Sequence, residues 1–465
     1  MMNSPDNVER RMLLIMLRCA LACVAITVAC GALAIICYVG GTPVLNALGL
    51  KFRLLRPLHT TFASVWIFMA GLTCVQMFLF HEFGPATRGD RKRFRFQMIC
   101  WGLAGVGILC TLPFGLTSGR EYLGFHPLLS LLVVAGWLTF AWTFFSKVRS
   151  GFWDRPVYVY MWGLGLIFFL YTFAEGHAYL IPSVRDHPVA DLQIQWKSCG
   201  TIVASFNMLV YGTLIYLGER LSGSTTYARS PKAFMFFGVG VLNSFTNYAH
   251  HTYHLPQDPY LKWVAFVVSM LEIIILFSVF NDVRSMLSKR KPTDPFQTNT
   301  QFIQLAKSWT LGLLALAILI SIPPLNTMIH GTHVVMGHAM GSEIGIDSFV
   351  LFAFVATLLA ELHAGHHESL RRLNSQAMAE SMVWLNRSLV ALVLILAGKG
   401  IMTGFERVFA IPAPEWLQIF PGALAVVGCL HGAMLLRILW LWLPMLTLSP
   451  QVDHREPTPQ SIGSS

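Results

Sequence analysis

Apolar stretches of twenty or more residues recur along almost the whole chain, and they constrain the fold more than any other feature of the sequence. A helix of about 20 apolar residues is long enough to cross the hydrocarbon core of a bilayer. Hydrophobic residues make up 55% of the chain and charged residues 12%, whereas soluble proteins usually carry about 25% charged residues. The sequence therefore predicts an all-α polytopic membrane protein.

Twelve candidate membrane spans account for these stretches and leave no obvious room for a soluble domain. We expect residues 1–450 to form a single twelve-helix membrane domain, and residues 451–465 to form a disordered polar tail. The predicted spans lie at about 12–38, 57–80, 97–117, 126–147, 157–182, 198–218, 233–253, 259–281, 306–326, 332–361, 382–403 and 419–446.

The net charge of +10 follows the predicted topology and does not indicate a nucleic-acid partner. Arg and Lys collect at the N-terminus and in the connections after even-numbered spans, a pattern typical of cytoplasmic loops. Both termini are therefore predicted to be cytoplasmic. The nine cysteines lack the spacing of disulfides, zinc sites or covalent haem attachment, so we interpret most of them as packing residues.

Histidines are concentrated near the predicted outer ends of three spans. A titratable residue within a membrane span is costly, and by default it indicates a functional site. The second span opens with His59, the seventh closes with His250 and His251, and the tenth opens with His330, His333 and His338. Six such residues from three helices at one membrane level predict a metal or cofactor site.

The tenth span carries two metal-capable side chains only two residues apart, His338 and Met340. Two residues correspond to about 200° around an α-helix, so these side chains point to opposite sides. Imidazole and thioether are both axial ligands of haem iron. One helix is therefore suited to supply a ligand to each of two flat cofactors on either side of it.

Five segments between the second and tenth spans carry the motifs of one known family in order. They are RPLHTTFASVWIFMAG, SGREYLGF, NYAHHTYH, SMLEIIIL and HGTHVVMGHAM. Through them the chain resembles the catalytic subunit of the haem-copper oxidase superfamily, most closely the large subunit of nitric oxide reductase. The resemblance implies a twelve-helix haem-copper-oxidase-like bundle. By motif position, the resemblance implies that His59 binds a low-spin haem and that His338 binds a high-spin haem. It implies that His250 and His251 bind a non-haem metal (Fe or Cu). It also implies that Glu121 binds a calcium ion and that Glu272 is an active-site glutamate.

Met340 departs from the family pattern, which has a second histidine at this position as the other low-spin haem ligand. Two interpretations compete. In the first, Met340 coordinates the iron opposite His59, and this ligation raises the reduction potential. In the second, the haem is five-coordinate or absent and Met340 only packs. We favour coordination, because His59 is retained and methionine is a competent haem ligand.

The sixth span departs further, because the family's third histidine ligand of the non-haem metal is missing from QWKSCGTIVASFN. The register places Cys199 at that position, with Val203 and Asn207 where the family has glutamates. Cys199 is one candidate for the third ligand, and a thiolate favours a softer metal than iron. The alternatives are two histidines with Glu272, or no metal.

The resemblance implies a membrane oxidoreductase with two b-type haems that reduces NO to N2O in the bacterial cytoplasmic membrane. It further implies electrons from a membrane-anchored cytochrome c or cupredoxin subunit, because the chain shows no haem-c domain. Oxygen reductases of one subtype have a tyrosine at the position of Val203, so this valine argues against that subtype. Tyr248 or Tyr253, near the histidine pair, leaves a cbb3-like oxygen reductase as an alternative. A non-catalytic haem protein for electron transfer or sensing, and a metal or proton transporter, are further alternatives.

Several other titratable residues receive structural interpretations. Glu343 and Asp347 lie inside the tenth span, where a buried acid serves either a proton path or helix packing. His330 and His333 precede His338 within the HGTHVVMGHAM motif and are expected near haem propionates. The histidines at positions 363, 366 and 367 lie at the predicted cytoplasmic side and are expected to be solvated.

Overall fold

The computed structural model describes residues 7–41, 43–246, 251–287, 297–412 and 414–447, and nearly all of them are helical. The long helices, numbered here in chain order, are α1 Asn7–Tyr38, α2 Phe52–Phe83, α3 Arg88–Thr111, α4 Pro127–Val148, α5 Val157–Gly176, α6 Pro188–Ser222, α7 Pro231–Thr246, α8 Pro259–Leu287, α9 Gln297–Gly312, α10 Leu314–Ser321, α11 His333–Ser342, α12 Phe349–Leu362, α13 Gln376–Phe409 and α14 Phe420–Trp442. Short helices lie at Pro43–Ala47, Pro182–Arg185, Pro323–Ile329 and His367–Leu373.

Eleven helical segments of the described chain are long and apolar enough to cross a membrane, which confirms the predicted all-α polytopic class. The predicted seventh span is represented by α7, whose 16 described residues end beside the undescribed positions 247–250. The predicted tail at 451–465 lies outside the described residues.

Three segments form the centre of the bundle. In the most apolar stretch of each segment, the share of residues buried inside the protein is 89% for α2, 89% for α6 and 83% for residues 333–362. This share is 67% or less in every other described span. A helix that is apolar all round and buried by protein belongs to the core, whereas a helix with many exposed apolar side chains faces lipid. The central helices also carry four of the candidate residues, His59, Cys199, His338 and Met340.

The predicted ninth and tenth spans are not single regular helices. The ninth begins at Gln297, and its last helix, α10, ends at Ser321, before two consecutive prolines. Proline cannot donate to the preceding turn, but it is favoured in a first turn, so Pro323 and Pro324 end one helix and start another. In the tenth, a six-residue π-helical segment, Glu343–Ser348, separates α11 from α12.

Candidate haem and metal centre

His59 lies on α2 against the first helix of the bundle. Its Nδ1 is 2.8 Å from the carbonyl oxygen of Thr27 on α1, which can accept a hydrogen bond from that nitrogen. Glycine at position 31 permits this approach, because a Cβ there would lie 2.7 Å from His59 Nδ1. Haem-ligating histidines commonly donate one ring N–H to a backbone carbonyl, which leaves the other nitrogen as the ligand. The contact with Thr27 thus leaves Nε2 of His59 free to bind a metal.

His338 and Met340 follow the start of α11, whose first turn is capped by the side chain of Thr332. The Nδ1 atom of His338 is buried and has no hydrogen-bond partner among the described residues. Met340 is half-buried two residues later. A buried imidazole nitrogen without a partner is unfavourable unless a ligand or water satisfies it. The predicted high-spin haem ligand therefore has the open bonding capacity that this role requires.

His251 lies directly over α6. A Cβ at Gly200 would come within 2.7 Å of His251 Cδ2, so only glycine allows the imidazole this close. His330 and His338 are its electrostatic neighbours. His251 therefore lies near two histidines of the predicted tenth span, and its role as a metal ligand stays a prediction. Its predicted co-ligand His250 lies outside the described residues.

Cys199 is buried beside Gly200, on the same turn of α6 as the surface that His251 covers. Its thiol makes a weak contact of 3.9 Å with the backbone carbonyl of Glu121. Within the described ranges, which exclude His250, no group of three or more His, Cys, Asp and Glu side chains is arranged to hold a metal. The role of Cys199 as a third ligand stays a prediction.

His330 and His254 form a stacked pair next to this pocket. Their ring centroids are 4.0 Å apart with an interplanar angle of 23°, and Trp196 packs edge-on against both. Burial, together with His254 and Arg407, lowers the pKa of His330 to about 4, so the ring is neutral at pH 7. His333 instead packs against Phe420 on α14, away from this pair. Of His330 and His333, therefore, only His330 lies near His251.

The loop between α3 and α4 connects the central helices at the predicted outer end of the bundle. An antiparallel bridge between Thr117 and Phe125 closes it, and Ser118 bonds across it to the Leu123 and Gly124 carbonyls. This short cross-linked loop holds residues 119–122 as a compact tip. Each of the last three tip residues reaches a different helix.

Arg120, the first of these residues, binds the start of α6. Its guanidinium donates to Asp191 at 2.9 Å and to Gln195 at 3.1 Å, and it covers the ring of Tyr179. Next in sequence, the Glu121 carboxylate forms an ion pair of 3.0 Å with Arg56 on α2, one turn before His59. Calcium binding at Glu121 stays a prediction, and the carboxylate already has this cationic partner.

Tyr122, the third, reaches the helix that carries His338 and Met340. Its hydroxyl donates to the Glu343 carboxylate at 3.1 Å. Its backbone has a φ of +59°, a left-handed conformation that costs a non-glycine residue roughly 1–2 kcal/mol. Burial and the Glu343 carboxyl raise the pKa of Tyr122 well above its usual range, so the hydroxyl keeps its proton to donate. The sequence motif contains this tyrosine, but nothing in it indicates the partner.

Glu272 is buried on α8 and accepts a hydrogen bond from the side chain of Asn243 on α7. Ser269 donates to the same asparagine at 3.3 Å. Asn243 was not recognised from the sequence, although a polar residue inside an apolar span is a detectable signal. The predicted active-site glutamate thus has an amide partner that fixes its orientation.

Two expectations for titratable residues have different outcomes. Asp347 is buried as predicted, at 2% exposure, and its Oδ2 has no hydrogen-bond partner in the described part of the chain. The expectation that His363 is solvated is wrong, because this residue is only 3% exposed. Its Nε2 donates to the carbonyl of Met445 at 2.8 Å, so the ring joins the end of α12 to the turn after α14. The sequence showed a polar segment but not that the turn after α14 packs against it.

The sequence matches the family model described as "Cytochrome C and Quinol oxidase polypeptide I" over residues 11–433. The chain belongs to this family. Its fold is similar to that of a solved heme-copper terminal oxidase dimer, with a TM-score of 0.72 and 14% sequence identity over 96% of this chain and 85% of that chain. No curated protein sequence matches the chain.

Membership of this family establishes a haem- and metal-binding oxidoreductase subunit that crosses the membrane many times and works with other subunits. The described residues fit this chemistry. His59 has one nitrogen occupied by a backbone carbonyl, His338 has a buried nitrogen without a partner among the described residues, and His251 packs closely against α6 at Gly200.

Proposed function

We propose that this haem-copper oxidase subunit is a nitric oxide reductase, with the overall reaction 2 NO + 2 e⁻ + 2 H⁺ → N2O + H2O. A low-spin haem b would be held by His59 and Met340, and a high-spin haem b by His338. A non-haem iron or copper would be held by His250 and His251, with Cys199 as the candidate third ligand. When bound, these groups supply the sites for two NO molecules and the electrons that reduce them.

The position of Tyr253 is the observation that favours NO over O2 as the substrate. An oxygen reductase of the alternative subtype needs a tyrosine near the histidine pair that faces the pocket. The Tyr253 hydroxyl instead lies 2.9 Å from the carbonyl of Ser321 and 2.8 Å from that of Lys262, both acceptors in the backbone. Val203 occupies the position where the other subtype has its tyrosine. Tyr248 lies outside the described residues.

Glu272 is the proposed proton donor of the pocket. Its carboxyl is buried on α8, and the Asn243 amide orients it. A carboxyl held in one orientation by a hydrogen bond can act as a general acid or base toward a group within its reach. Glu272 is therefore suited to deliver protons when oxygen is removed from NO. Electrons would come from a membrane-anchored cytochrome c or cupredoxin subunit docked at the outer face of a bacterial cytoplasmic membrane.

The test is an optical, metal and turnover analysis of the purified holoprotein. We expect two b haems, one non-haem metal, and consumption of two NO for each N2O formed with a reduced artificial donor. Tyr253→Phe should retain this turnover, whereas His251→Ala should lose the metal and the turnover. Consumption of O2 but not NO, abolished in Tyr253→Phe with both haems retained, would establish the oxygen reductase instead.

Two further outcomes identify the non-catalytic alternatives. One haem without a non-haem metal would indicate an electron-transfer or sensing protein. A protein purified without any haem would indicate a transporter that uses the same histidines.

A further inference from the structure

A ring of polar contacts joins α2 to the helix that carries Met340 along two separate routes. We infer that Tyr122 and Glu343, which complete this ring, position the two ligands of the low-spin haem. The inference rests on the proposed low-spin site between His59 and Met340, and it assigns these two residues a role that the sequence motifs do not indicate.

The α2 side of the ring has two attachment points on either side of His59. Arg56, three residues before His59, pairs with Glu121 at 3.0 Å. Trp66, seven residues after it, donates from its indole nitrogen to the hydroxyl of Ser348 at 2.9 Å. His59 therefore lies on the stretch of helix that both routes hold.

The other side of the ring is the π-helical segment that follows Met340. Glu343 is its first residue, and its backbone N–H donates to the carbonyls of Ala339 and Met340. Its own carbonyl accepts from the hydroxyl of Ser348 at 2.7 Å, so Ser348 links Trp66 to Glu343. The segment is thus pinned at its first and last residues, directly after the proposed thioether ligand.

The Tyr122–Glu343 hydrogen bond closes the ring. Tyr122 follows Glu121 in the loop tip, so one peptide unit carries the constraint from Arg56 to Glu343. Its left-handed backbone is held there by the cross-linked loop. A strained non-glycine residue persists only where its surroundings determine its conformation, and such residues cluster at functional sites.

A ligand-positioning role follows from the order of these contacts. Opening the ring at Tyr122 leaves Ser348 as the remaining hydrogen-bonded link of this ring, and the start of the segment after Met340 loses one of its two attachments to α2. Loss of a partner that orients a ligand typically weakens metal binding by roughly 10–100-fold. The weaker of the two ligands, the Met340 thioether, should respond first.

The test uses the purified full-length holoprotein and near-infrared magnetic circular dichroism of the oxidised low-spin haem, which distinguishes methionine from nitrogenous or vacant axial ligation. In Tyr122→Phe, we expect the ratio of methionine-ligated low-spin haem to low-spin haem in all other ligation forms to fall by about tenfold. Glu343→Leu should give the same result. Glu343→Gln keeps an oxygen that accepts from Tyr122, so it should retain the wild-type spectrum.

The matched control is Tyr160→Phe, because the Tyr160 hydroxyl also donates one hydrogen bond of 2.7 Å, to the Phe152 carbonyl, outside the ring. It should keep the wild-type spectrum. If Tyr122→Phe does not fold, the comparison between Glu343→Gln and Glu343→Leu decides the question. Retention of methionine ligation in both Tyr122→Phe and Glu343→Leu would overturn the inference. A wild-type protein without a methionine-ligated haem would instead overturn the proposed low-spin site itself.

Discussion

The close approach of His59 to α1 leads to a quantitative prediction for Gly31→Ala. An added Cβ would lie 2.7 Å from His59 Nδ1 and 2.9 Å from Cε1, whereas ordinary contact begins at 3.4 Å. The imidazole must therefore move by about 0.7 Å. Its 2.8 Å hydrogen bond to Thr27 would lengthen to the limit of a hydrogen bond, so this substitution should disturb both helix packing and ligand orientation.

The expected cost follows from three contributions. Overpacking a filled site costs typically about 1–3 kcal/mol. Loss of the His59–Thr27 hydrogen bond costs a further ~1 kcal/mol. Replacement of glycine by alanine within a helix returns up to about 1 kcal/mol of backbone free energy. The net destabilisation of Gly31→Ala should therefore be about 1–3 kcal/mol.

The matched control is Gly428→Ala on α14, where a Cβ would meet no atom within 4 Å. It carries the helix-propensity gain without the clash, so it should be neutral or stabilising by up to about 1 kcal/mol. The assay compares the unfolding temperature in detergent and the low-spin haem content of wild type and both variants. Gly31→Ala should unfold at the lowest temperature and hold less low-spin haem.

The packing argument would be refuted if Gly31→Ala matched Gly428→Ala in unfolding temperature and in haem content. A lower unfolding temperature with unchanged haem content would preserve the packing argument but show that the Thr27 contact does not orient the ligand.

Two further predictions concern the opposite end of the bundle. Glu361 receives a bidentate ion pair from Arg220, at 2.9 and 3.0 Å, so Glu361→Gln should destabilise the protein by roughly 1–3 kcal/mol in chemical denaturation. Asp186→Asn, which removes the exposed ion pair with Arg185, should change stability by less than ~1 kcal/mol. An equal loss of stability in both variants would contradict the stronger contribution assigned to the Arg220–Glu361 pair. Burial lowers the pKa of His363 below 6.5, so the unfolded state binds a proton at this residue more readily than the folded state. The stability that neutral His363 contributes to the folded state therefore declines as pH falls below about 6.5. His363→Gln should therefore make the unfolding temperature less dependent on pH between about 5 and 7, and an unchanged pH profile would show that His363 does not carry this dependence.

The length and polarity of the apolar stretches predict the membrane class, because a bilayer sets both quantities independently of tertiary contacts. The sequence also identified His59, His251 and His338 as candidates, since a titratable residue in a span is rare enough to be noticed. Helix boundaries were less accurate. The ninth span begins nine residues before its predicted start, because polar residues extend a helix that packs against protein.

The partners of the candidate residues could not be predicted from the sequence. Thr27 and His59 are 32 positions apart, and Tyr122 and Glu343 are 221 positions apart, so no local pattern connects them. The π-helical segment was also missed, because an inserted residue leaves an apolar helical pattern almost unchanged. The burial of His363 was missed for the same reason as the long-range partners, since Met445 follows it by 82 positions.

The sequence by itself determined that this chain is a helical membrane protein, which of its segments are apolar enough to be candidate spans, and which residue types are available as ligands. These properties depend on the local balance of apolar and polar groups and on the bilayer as solvent. Only the tertiary structure decided how the candidate ligands are oriented. Glycines 31 and 200 admit two imidazoles, and Arg120, Glu121 and Tyr122 each bind a different helix, because backbones meet at distances that only the packed bundle sets.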